Sequence, residues 1–480
     1  MTPTHQVDMF SDCSPADLIA EMYVELQQAD KTCLAELARR AQQLADEAKQ
    51  NNSYPVAGEA LFIAGFCYGE LDCKQQALAA YQEAIECGFR RAGLFFNLGN
   101  CYRELLKPDK ALESYSQALL MEPGRGDVIA NMAFAYEDLG DLIRAEECFR
   151  RGAEIMQANS LAVHNLSYSL LRRGKYKEGW QLYELRSKSV PHELLKPTWD
   201  GQQDVADKRV LAVVEQGYGD VIMFCGLINE LASQAESVML ICDLRMESLL
   251  QSSLPRITVS QLFVPSQLDQ WDIRLAIGSL GKIYRSVDRK DFSPITPYLA
   301  PDPRRCTEVM KELRKLGNGL KIGIAWRGGD NQHTKKRRSI PLANMEELLR
   351  LEGILWINLQ HHYDQDEVNC FTERTGIQLH HVLDATGDLE GLAAAVTCLD
   401  HVVSVQQTLV HFAGATGTPA EVMIPAVPEW RYGMEGEHMP WWQSVRLHRQ
   451  HELGNWAIPI QSVTSVIAGL RNQRSKSGIH

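Results

Sequence analysis

A repeat of 34 residues in the N-terminal part of the chain constrains its fold more than any other feature of the sequence. A small residue recurs together with an aromatic residue in four copies: Gly65 with Tyr81, Gly99 with Tyr115, Ala133 with Phe149 and, more weakly, Ser167 with Tyr183. Two antiparallel helices approach closely only where no bulky side chain stands between them. This spacing therefore predicts a row of packed helix pairs.

The period and the residue types resemble the tetratricopeptide pattern, and we assign such repeats to residues 58–190. Residues 1–13 are expected to be a flexible N-terminus, and the helical period of residues 14–57 predicts a helical cap or a decayed repeat. Tetratricopeptide repeats stack into a curved solenoid whose concave face commonly holds a protein partner. The alternative is a packing arm that joins copies of the chain into a homo-oligomer.

Three asparagines near the first-helix face are candidates for binding an acceptor peptide: Asn97, Asn100 and Asn131. The side-chain amide of asparagine offers both a donor and an acceptor to a peptide backbone. Asparagine is also common at helix ends, so a capping role is the alternative for all three residues.

Composition limits the classes of function. The 480 residues suffice for two or three domains, and 45% hydrophobic with 23% charged residues is typical of globular proteins. A formal net charge of −12 argues against a nucleic-acid partner. The sequence shows no signal peptide, no apolar run of the ~20 residues that a membrane span needs, and no C-x-x-C pair among its 12 cysteines. We therefore expect a cytoplasmic protein with reduced thiols.

Beyond a linker at residues 191–208, apolar runs alternate with helical patterns, as in a parallel sheet covered by helices. We place a first Rossmann-like lobe at 209–303, a second one at 304–472 and a tail at 473–480. The expected fold class is α plus α/β, an all-α solenoid followed by two Rossmann-like lobes. A cleft between two such lobes is a natural ligand site.

Residues 400–425 form the clearest unit of the second lobe, with a strand, a polar turn at 406–408, a helix that opens with His411, and a second strand. Free backbone N–H groups and a histidine at a helix start favour a bound anion, above all a phosphate. The alternative is an ordinary βαβ unit with a buried histidine.

Two further loops follow apolar strands. The loop at 216–220 lacks the full G-x-G-x-x-G pattern and the lysine of a phosphate-binding P-loop, so neither a dinucleotide nor ATP is supported. The segment at 327–339 is read as a Gly-rich loop with four consecutive basic residues, 335–338. Cations and loop N–H groups together compensate the charge of a diphosphate. The alternative is a solvated run of charges.

Several motifs, in the same order, resemble those of the tetratricopeptide-containing glycosyltransferases of the GT-B fold. The C-terminal part of that family is related to the bacterial heptosyltransferases and, more distantly, to the protein O-GlcNAc transferases. The motifs are GKYKEGWQLYELR at 174–186, EQGYGDVIMF at 215–224, KIGIAWRGG with RRSIP at 321–341, SVQQTLVHFAGATGTP at 404–419, and PEWRYG, MPWW and VRLHRQ at 428–450.

The resemblance implies roles for individual residues. Asp220 stands where heptosyltransferase-like enzymes place a proposed catalytic base, which removes the proton of the attacking hydroxyl group. A helix N-cap carboxylate is the alternative for Asp220. The implied donor-binding residues are Arg327, Lys336, Arg337, Arg338, Gln360, Gln406, Gln407, Thr408, His411 and Gly414. The implied first-lobe loop residues are Gln216, Gly217 and Gly219.

The sequence departs from the family pattern at Gln406-Gln407, where many relatives have Asp-Thr. Glutamine hydrogen-bonds to sugar hydroxyl groups, but it carries no charge and cannot act as a base. The scheme calls for no metal or cofactor, because cationic side chains and a helix dipole balance the charge of the leaving group. The short D-x-D pattern at 364–366 matches the metal-binding motif of another glycosyltransferase fold. Here we expect it to start a helix and not to bind a metal.

The leading hypothesis is an inverting, metal-independent glycosyltransferase. It would move a sugar from a nucleotide-activated donor, bound to the second lobe, to a protein hydroxyl group held by the repeats and presented on the side of the first lobe. Some bacterial relatives modify flagellin, which makes flagellin a candidate acceptor. One alternative is a non-catalytic binding scaffold with a degenerate transferase domain. Another is a transferase that acts on a glycan or on a lipid-linked acceptor.

Overall fold

The computed structural model describes residues 14–156, 160–186, 195–261, 265–329, 332–384 and 386–477. The chain divides into two compact units, one that ends at Ala162 and one that starts at Val163. The expected flexible N-terminus, the first four residues of the expected linker and the last three of the expected tail lie outside the described ranges. Within those ranges, no helix is long and apolar enough to cross a bilayer.

The first unit is built from antiparallel helix pairs. Its helices are α1 (Pro15–Leu26), α2 (Lys31–Gln50), α3 (Tyr54–Glu70), α4 (Lys74–Glu86), α5 (Ala92–Glu104), α6 (Pro108–Met121), α7 (Gly126–Asp138) and α8 (Leu142–Ile155). Local sequence sets several helix starts. At α1, the Ser14 hydroxyl accepts a hydrogen bond from the Asp17 backbone N–H and the Asp17 carboxylate accepts one from the Ser14 backbone N–H. The helices expected over 14–57 are therefore present.

The small and aromatic residues of the repeat meet in space as their spacing predicts. A Cβ atom placed on Gly65 would lie only 2.6 Å from the Tyr81 ring, and Gly99 faces the Tyr115 ring in the same way. Both tyrosines are almost completely buried. The glycine of the first helix thus admits the aromatic ring of the second helix, which lets the two helices pack closely.

The second unit begins with a helix pair and continues with a small parallel sheet. Its elements are α9 (Ser160–Arg172, which starts in the first unit), α10 (Tyr176–Tyr183), β1 (Arg209–Val213), α11 (Tyr218–Ala232), β2 (Ser237–Ile241), α12 (Leu244–Ser253), β3 (Thr258–Ser260), β4 (Ile273–Ala276) and α13 (Leu280–Arg285). The strands pair in the order β3-β2-β1-β4, all parallel. This is the expected first Rossmann-like lobe.

The second lobe holds a larger sheet. Its elements are α14 (Pro303–Lys315), β5 (Leu320–Ala325), α15 (Gln332–Arg338), α16 (Glu346–Leu349), β6 (Ile354–Asn358), α17 (Gln365–Thr375), α18 (Leu389–Cys398), β7 (His401–Val405), α19 (Thr408–Thr416), β8 (Ala420–Ile424), β9 (His438–Met439), β10 (Trp442–Arg449) and α20 (Ala457–Ser477). The strand order is β6-β5-β7-β8-β10-β9, and only β9 pairs antiparallel.

Both sheets have a point at which the strand order reverses direction. In the first lobe it lies between β1 and β4, and in the second lobe it lies between β5 and β7. Open parallel sheets bind their ligands outside the carboxyl ends of the strands at such a point. In the second lobe, the loops that follow these two strands start at Trp326 and at Gln406. These are the two loops that the sequence assigns to the donor.

Some boundaries differ from the sequence expectations. Helix α20 continues to Ser477, so the expected tail is helical over its described part, because apolar residues of α20 such as Val463 and Ile467 are buried against the second sheet. Residues 342–349 form a 3-10 turn followed by the short α16. The Ser339 hydroxyl bonds to the backbone of Gly328.

The described part of the expected linker is packed and irregular. Trp199 and Val205 are buried in the core of the second unit, and the Trp199 indole N–H donates to the backbone oxygen of Gln203. Residues 195–208 are thus an irregular strut on the second unit.

Candidate functional site

The turn at 406–408 leads directly into α19 at the reversal point of the second sheet. Gln407 is the N-cap residue of α19, and no side chain caps this helix start. The Gln406 side chain is buried and accepts a hydrogen bond from the Glu429 backbone N–H at 3.2 Å. Gln407 donates its amide to Ser404 Oγ at 3.4 Å. The uncapped backbone N–H groups of Thr408 and its neighbours make this end of the helix attractive to anions.

The loop of the first lobe meets this helix start. Gly217 is the N-cap residue of α11, and no side chain caps this helix either. A Cβ atom on Gly219 would lie 3.1 Å from His411 Cδ2 and 3.6 Å from Thr408 Oγ1. The N-terminal turns of α11 and α19 are therefore in direct contact, one from each lobe. Two helix dipoles point their positive ends at the same region.

His411 lies in the first turn of α19, which begins at Thr408, three residues earlier than the sequence predicts. Its side chain is buried, and its Nδ1 accepts a hydrogen bond from the Trp442 indole N–H at 3.2 Å. Burial, helped by the nearby charge of Arg431, lowers the pKa of His411 to about 3. The imidazole is therefore neutral at physiological pH, with Nδ1 as the acceptor.

Asp220 lies in the first turn of α11 and pairs with Arg431. The carboxylate Oδ1 accepts from Arg431 Nε at 2.6 Å and also from Nη2, and both side chains are only 15% exposed. Gly217, and not Asp220, is the cap of this helix, so the capping alternative for Asp220 is wrong. Asp220 is instead a shielded carboxylate whose charge is balanced by a residue of the second lobe.

Burial raises the pKa of Asp220 above its usual value, and the Arg431 guanidinium opposes that rise. For Arg431, burial disfavours the charged form, but the carboxylates of Asp220 and Glu429 outweigh it and raise the pKa. A carboxyl group with a raised pKa is suited to taking up a proton near neutral pH.

The pair belongs to a longer chain of charges. Arg431 Nη1 also contacts the Glu429 carboxylate at 3.2 Å, and that carboxylate in turn pairs with Arg338. The resulting row runs Asp220, Arg431, Glu429, Arg338 and alternates in sign. Neighbouring charges of opposite sign stabilise one another when they are shielded from water.

The basic segment is a short helix and not the expected loop, because 332–338 forms α15. Lys336, Arg337 and Arg338 stand in its last turn. Arg327, in the loop after β5, pairs with Glu367 at 2.7 Å. Two cations assigned to the donor, Arg327 and Arg338, are thus held by carboxylates of the second lobe.

Two residues assigned to the donor have structural roles. Gln360 Oε1 accepts from the backbone N–H groups of Trp326 and Arg327 at 2.8 and 2.7 Å, and its Nε2 donates to two backbone oxygens. Gln360 thus fixes the start of the loop after β5. The open face of Gly414 is filled by the Trp442 indole, so this glycine serves the packing of α19 against β10.

The three asparagines of the repeats are engaged within the first unit. Asn100 Oδ1 accepts from the Tyr115 hydroxyl at 2.7 Å, and Asn131 Nδ2 donates to the backbone oxygen of Asp127 at 2.8 Å. Burial raises the pKa of Tyr81, and the Asn97 side chain, which lies beside the Tyr81 hydroxyl, opposes that larger effect. Their contact with an acceptor peptide stays a prediction, and none of the three is a helix cap.

A cavity of about 400 Å³ opens beside the first-lobe loop, at the carboxyl ends of β1 and β2. Its lining includes Gln216, Gly217, Tyr218, Asp243 and Met246. Gln216 and Gly217 thus line a ligand-sized opening, and their contact with a ligand stays a prediction. At 364–366, Asp364 caps α17 by accepting the Asp366 backbone N–H, which confirms the expected helix start.

Sequence reasoning missed Arg431 and Glu429 as site residues. Both belong to PEWRYG, a motif that carried the family resemblance but received no role. Their partners lie far away in sequence, since 211 positions separate Asp220 from Arg431. The one signal in the sequence was the presence of two charged residues, Glu429 and Arg431, within a short motif that is otherwise rich in aromatic residues.

Comparison with known proteins supports the repeats. One tetratricopeptide repeat model matches residues 92–124 and a second matches residues 127–159. The curated Protein FlbA of Caulobacter vibrioides is 26% identical over 321 residues, which are 62% of this chain and 53% of FlbA. The chain therefore spans about half the length of that curated relative.

Two solved structures are similar to the larger part of the chain. They are ADP-heptose LPS heptosyltransferase II of E. coli and a glycosyl transferase family 9 protein of Veillonella parvula DSM 2008. Each superposes with a TM-score of 0.42 at 14% identity, over 56% of this chain and 99% of the solved chain. The repeat models, the helix pairs and the strand orders confirm the expected fold class: tetratricopeptide repeats followed by two Rossmann-like lobes.

Proposed function

We propose that this chain is an inverting glycosyltransferase that moves a sugar from a nucleotide-activated donor to a hydroxyl group of a protein acceptor. The observation that carries the proposal is the meeting of two uncapped helix starts, one from each lobe, at Gly219 and His411. A shielded carboxylate, Asp220, lies one residue from that contact. Anion binding and proton removal are the two tasks that such a transfer requires.

The donor diphosphate would bind at the start of α19. Backbone N–H groups at an uncapped helix start bind phosphate oxygens, and the guanidinium groups of Arg327 and Arg338 lie on the same lobe. These cations are balanced by Glu367 and Glu429, so a diphosphate would compete with carboxylates for them. Positive groups that are already in place stabilise the charge that develops on the leaving diphosphate. The proposed transfer therefore uses no metal ion.

Asp220 would accept the proton of the attacking hydroxyl group. Burial raises the pKa of this carboxyl, which makes it a stronger base than an exposed aspartate, and Arg431 keeps it ionised and oriented. A single base that removes the proton while the hydroxyl oxygen attacks the anomeric carbon gives inversion in one displacement. The neutral His411 beside it would serve as a hydrogen-bond partner to the donor.

The acceptor would be a protein recruited by the tetratricopeptide repeats, with flagellin as one candidate. Repeats of this kind commonly bind peptides on their concave face. A second candidate function is a non-catalytic scaffold. It is favoured by Gln406 and Gln407, whose amides bond within the protein, and by the carboxylates that already neutralise Arg327 and Arg338.

A thermal-shift panel on the full chain tests the donor site. The panel contains UDP, GDP, ADP, CMP and the corresponding nucleotide sugars, and binding at 100 times Kd adds about 2.7 kcal/mol to the stability of the folded state. We expect one nucleotide class to raise the Tm. Stabilisation by none of the compounds, together with no release of nucleotide from any sugar donor, would contradict the proposal.

Two variants then separate an enzyme from a scaffold. Asp220→Asn keeps the size of the side chain but removes the base, so turnover should fall by at least 100-fold, while the thermal shift by the nucleotide persists. Asp207→Asn, at an exposed surface position, is the matched control and should leave turnover unchanged. Equal turnover in wild type and Asp220→Asn would exclude Asp220 as the base.

A further inference from the structure

In the first lobe, the crevice at the reversal point between β1 and β4 is filled by the protein itself, whereas the cavity beside Gln216 is open on the side of β2. Where the strand order reverses between β1 and β4, the loop after β1 faces a 3-10 turn at Ile277–Ser279. A Cβ atom on Gly278 would lie 2.6 Å from Arg186 Nη2 and 2.6 Å from Glu215 Oε1. The guanidinium of Arg186 therefore occupies the place where a parallel sheet of this kind usually binds its ligand.

Arg186 comes from the last helix pair of the repeat array. It lies three residues after the end of α10. Its guanidinium pairs with the Glu215 carboxylate at 2.8 Å, and the side chains of Arg186 and Glu215 are only 3% and 1% exposed. Glu215 Oε1 also accepts the Gly278 backbone N–H at 3.1 Å. Glu184 joins the network, since it contacts Arg186 at 3.0 Å and accepts from the Ser279 hydroxyl at 2.9 Å.

A second contact holds the same loop. Gln216 Nε2 donates to the Tyr183 hydroxyl at 2.5 Å, and Tyr183 is completely buried among Trp180, Phe224 and Trp430. Two consecutive loop residues, Glu215 and Gln216, are thus fixed by side chains of the hairpin. The helix that carries Asp220 begins two residues later, so the position of Asp220 depends on this anchoring.

We propose that the α9–α10 hairpin, residues 163–186, fills the crevice between β1 and β4 and that Tyr183 and Arg186 are positioning residues for the loop that leads into α11, the helix that carries Asp220. The catalytic meaning of this positioning rests on the proposed function. The anchoring itself is independent of it. A repeat hairpin would then be part of the active unit and not only a recruiting arm.

The test compares two tyrosines on α10 in the full-length chain. Tyr183→Phe removes the hydroxyl that binds Gln216, whereas Tyr176→Phe removes a hydroxyl from a ring that packs on Phe292, away from the loop. Hydrogen–deuterium exchange is measured over residues 214–222 in both variants. We expect exchange of this segment to accelerate on the order of fivefold in Tyr183→Phe, the usual effect of one lost hydrogen bond, and to stay unchanged in Tyr176→Phe.

Kinetics add a second readout. In Tyr183→Phe, kcat should fall on the order of fivefold while the KM for the nucleotide sugar stays constant, because the donor lies on the other lobe. Gln216→Ala should produce the same loss, and the double variant should lose no more than either single one, since both act through one hydrogen bond.

The two proposals fail separately. Wild-type exchange rates at 214–222 in Tyr183→Phe, or fully additive losses in the double variant, would overturn the positioning role. An inactive wild-type chain whose exchange responds as expected would overturn the proposed function alone.

Discussion

Asp220 and Arg431 lie on different lobes of the second unit, yet Arg431 donates two hydrogen bonds to a single oxygen, Oδ1, of the Asp220 carboxylate. The second carboxylate oxygen, Oδ2, takes no part in this contact. The pair therefore joins the two lobes through one carboxylate oxygen.

Arg431→Gln should destabilise the chain by about 3 kcal/mol, because it leaves a shielded carboxylate without its partner. The measurement is urea unfolding followed by fluorescence. Arg446→Gln is the control, since Arg446 pairs with Glu437 at 3.4 Å on the surface and should cost under about 1 kcal/mol. Equal stabilities of the two variants would show that the buried pair contributes no more than a surface pair.

Glu429→Gln should strengthen the binding of a nucleoside diphosphate about tenfold. Glu429 balances Arg338 and Arg431, so its neutralisation leaves more positive charge for the phosphates. Isothermal titration with the nucleotide found in the thermal-shift panel gives the Kd. Glu435→Gln, at an exposed position of the same segment, should leave the Kd unchanged. Weaker binding in Glu429→Gln would place the diphosphate away from these arginines.

His411→Asn should reduce the acid sensitivity of the fold. The folded-state pKa of His411 is about 3, below the ordinary value of 6.5, so the unfolded chain binds the extra proton and stability falls as pH drops from 6.5 towards 3. Between these two pH values, the protonation of this one histidine lowers the free energy of unfolding by about 1.4 kcal/mol per pH unit. Asparagine keeps an acceptor for the Trp442 indole and has no such titration.

The measurement for His411 is urea unfolding of wild type and His411→Asn at pH 7 and pH 4. The free energy of unfolding of the variant, measured relative to wild type, should be about 3 kcal/mol higher at pH 4 than at pH 7. His451→Asn, at an exposed position, should show the same difference from wild type at both pH values. A pH-independent deficit for His411→Asn would mean that this histidine is not buried in its neutral form.

Gly414→Ala should destabilise the fold by about 2 kcal/mol, because the added methyl group would collide with the Trp442 indole in a packed interior. Gly469→Ala is the matched control inside α20, where no atom lies within 4 Å of the added carbon. There alanine should stabilise the helix by about 0.5–1 kcal/mol. Thermal unfolding of both variants gives the comparison, and a neutral Gly414→Ala would contradict the packing of α19 on β10.

The sequence predicts the structure correctly where a local pattern of residues determines the packing of helices or the position of a strand. The small and aromatic residues that recur every 34 residues, such as Gly65 with Tyr81, follow a local packing rule, and the first strand of the unit at 400–425 is observed as β7. The meeting of the loops at 216–220 and 406–408, which belong to different sheets, agrees with the expected cleft between the two lobes.

The sequence does not show which charged residues pair with one another. Arg338 was expected to bind a diphosphate, whereas in the structure it pairs with Glu429, which lies 91 positions later in the chain. The resemblance implied that Gln360 binds the donor, because sequence alone does not show the two backbone N–H groups that its side chain holds. Ion pairs and amide contacts depend on tertiary geometry, which no local spacing encodes.

The boundary between the two compact units follows Ala162, inside α9 and ahead of the hairpin that holds the 215–220 loop. The residues described above as holding that loop, Tyr183 and Arg186, therefore belong to the second unit. A segment that the sequence counts among the repeats is thus, in its fold, a member of the unit that contains both sheets.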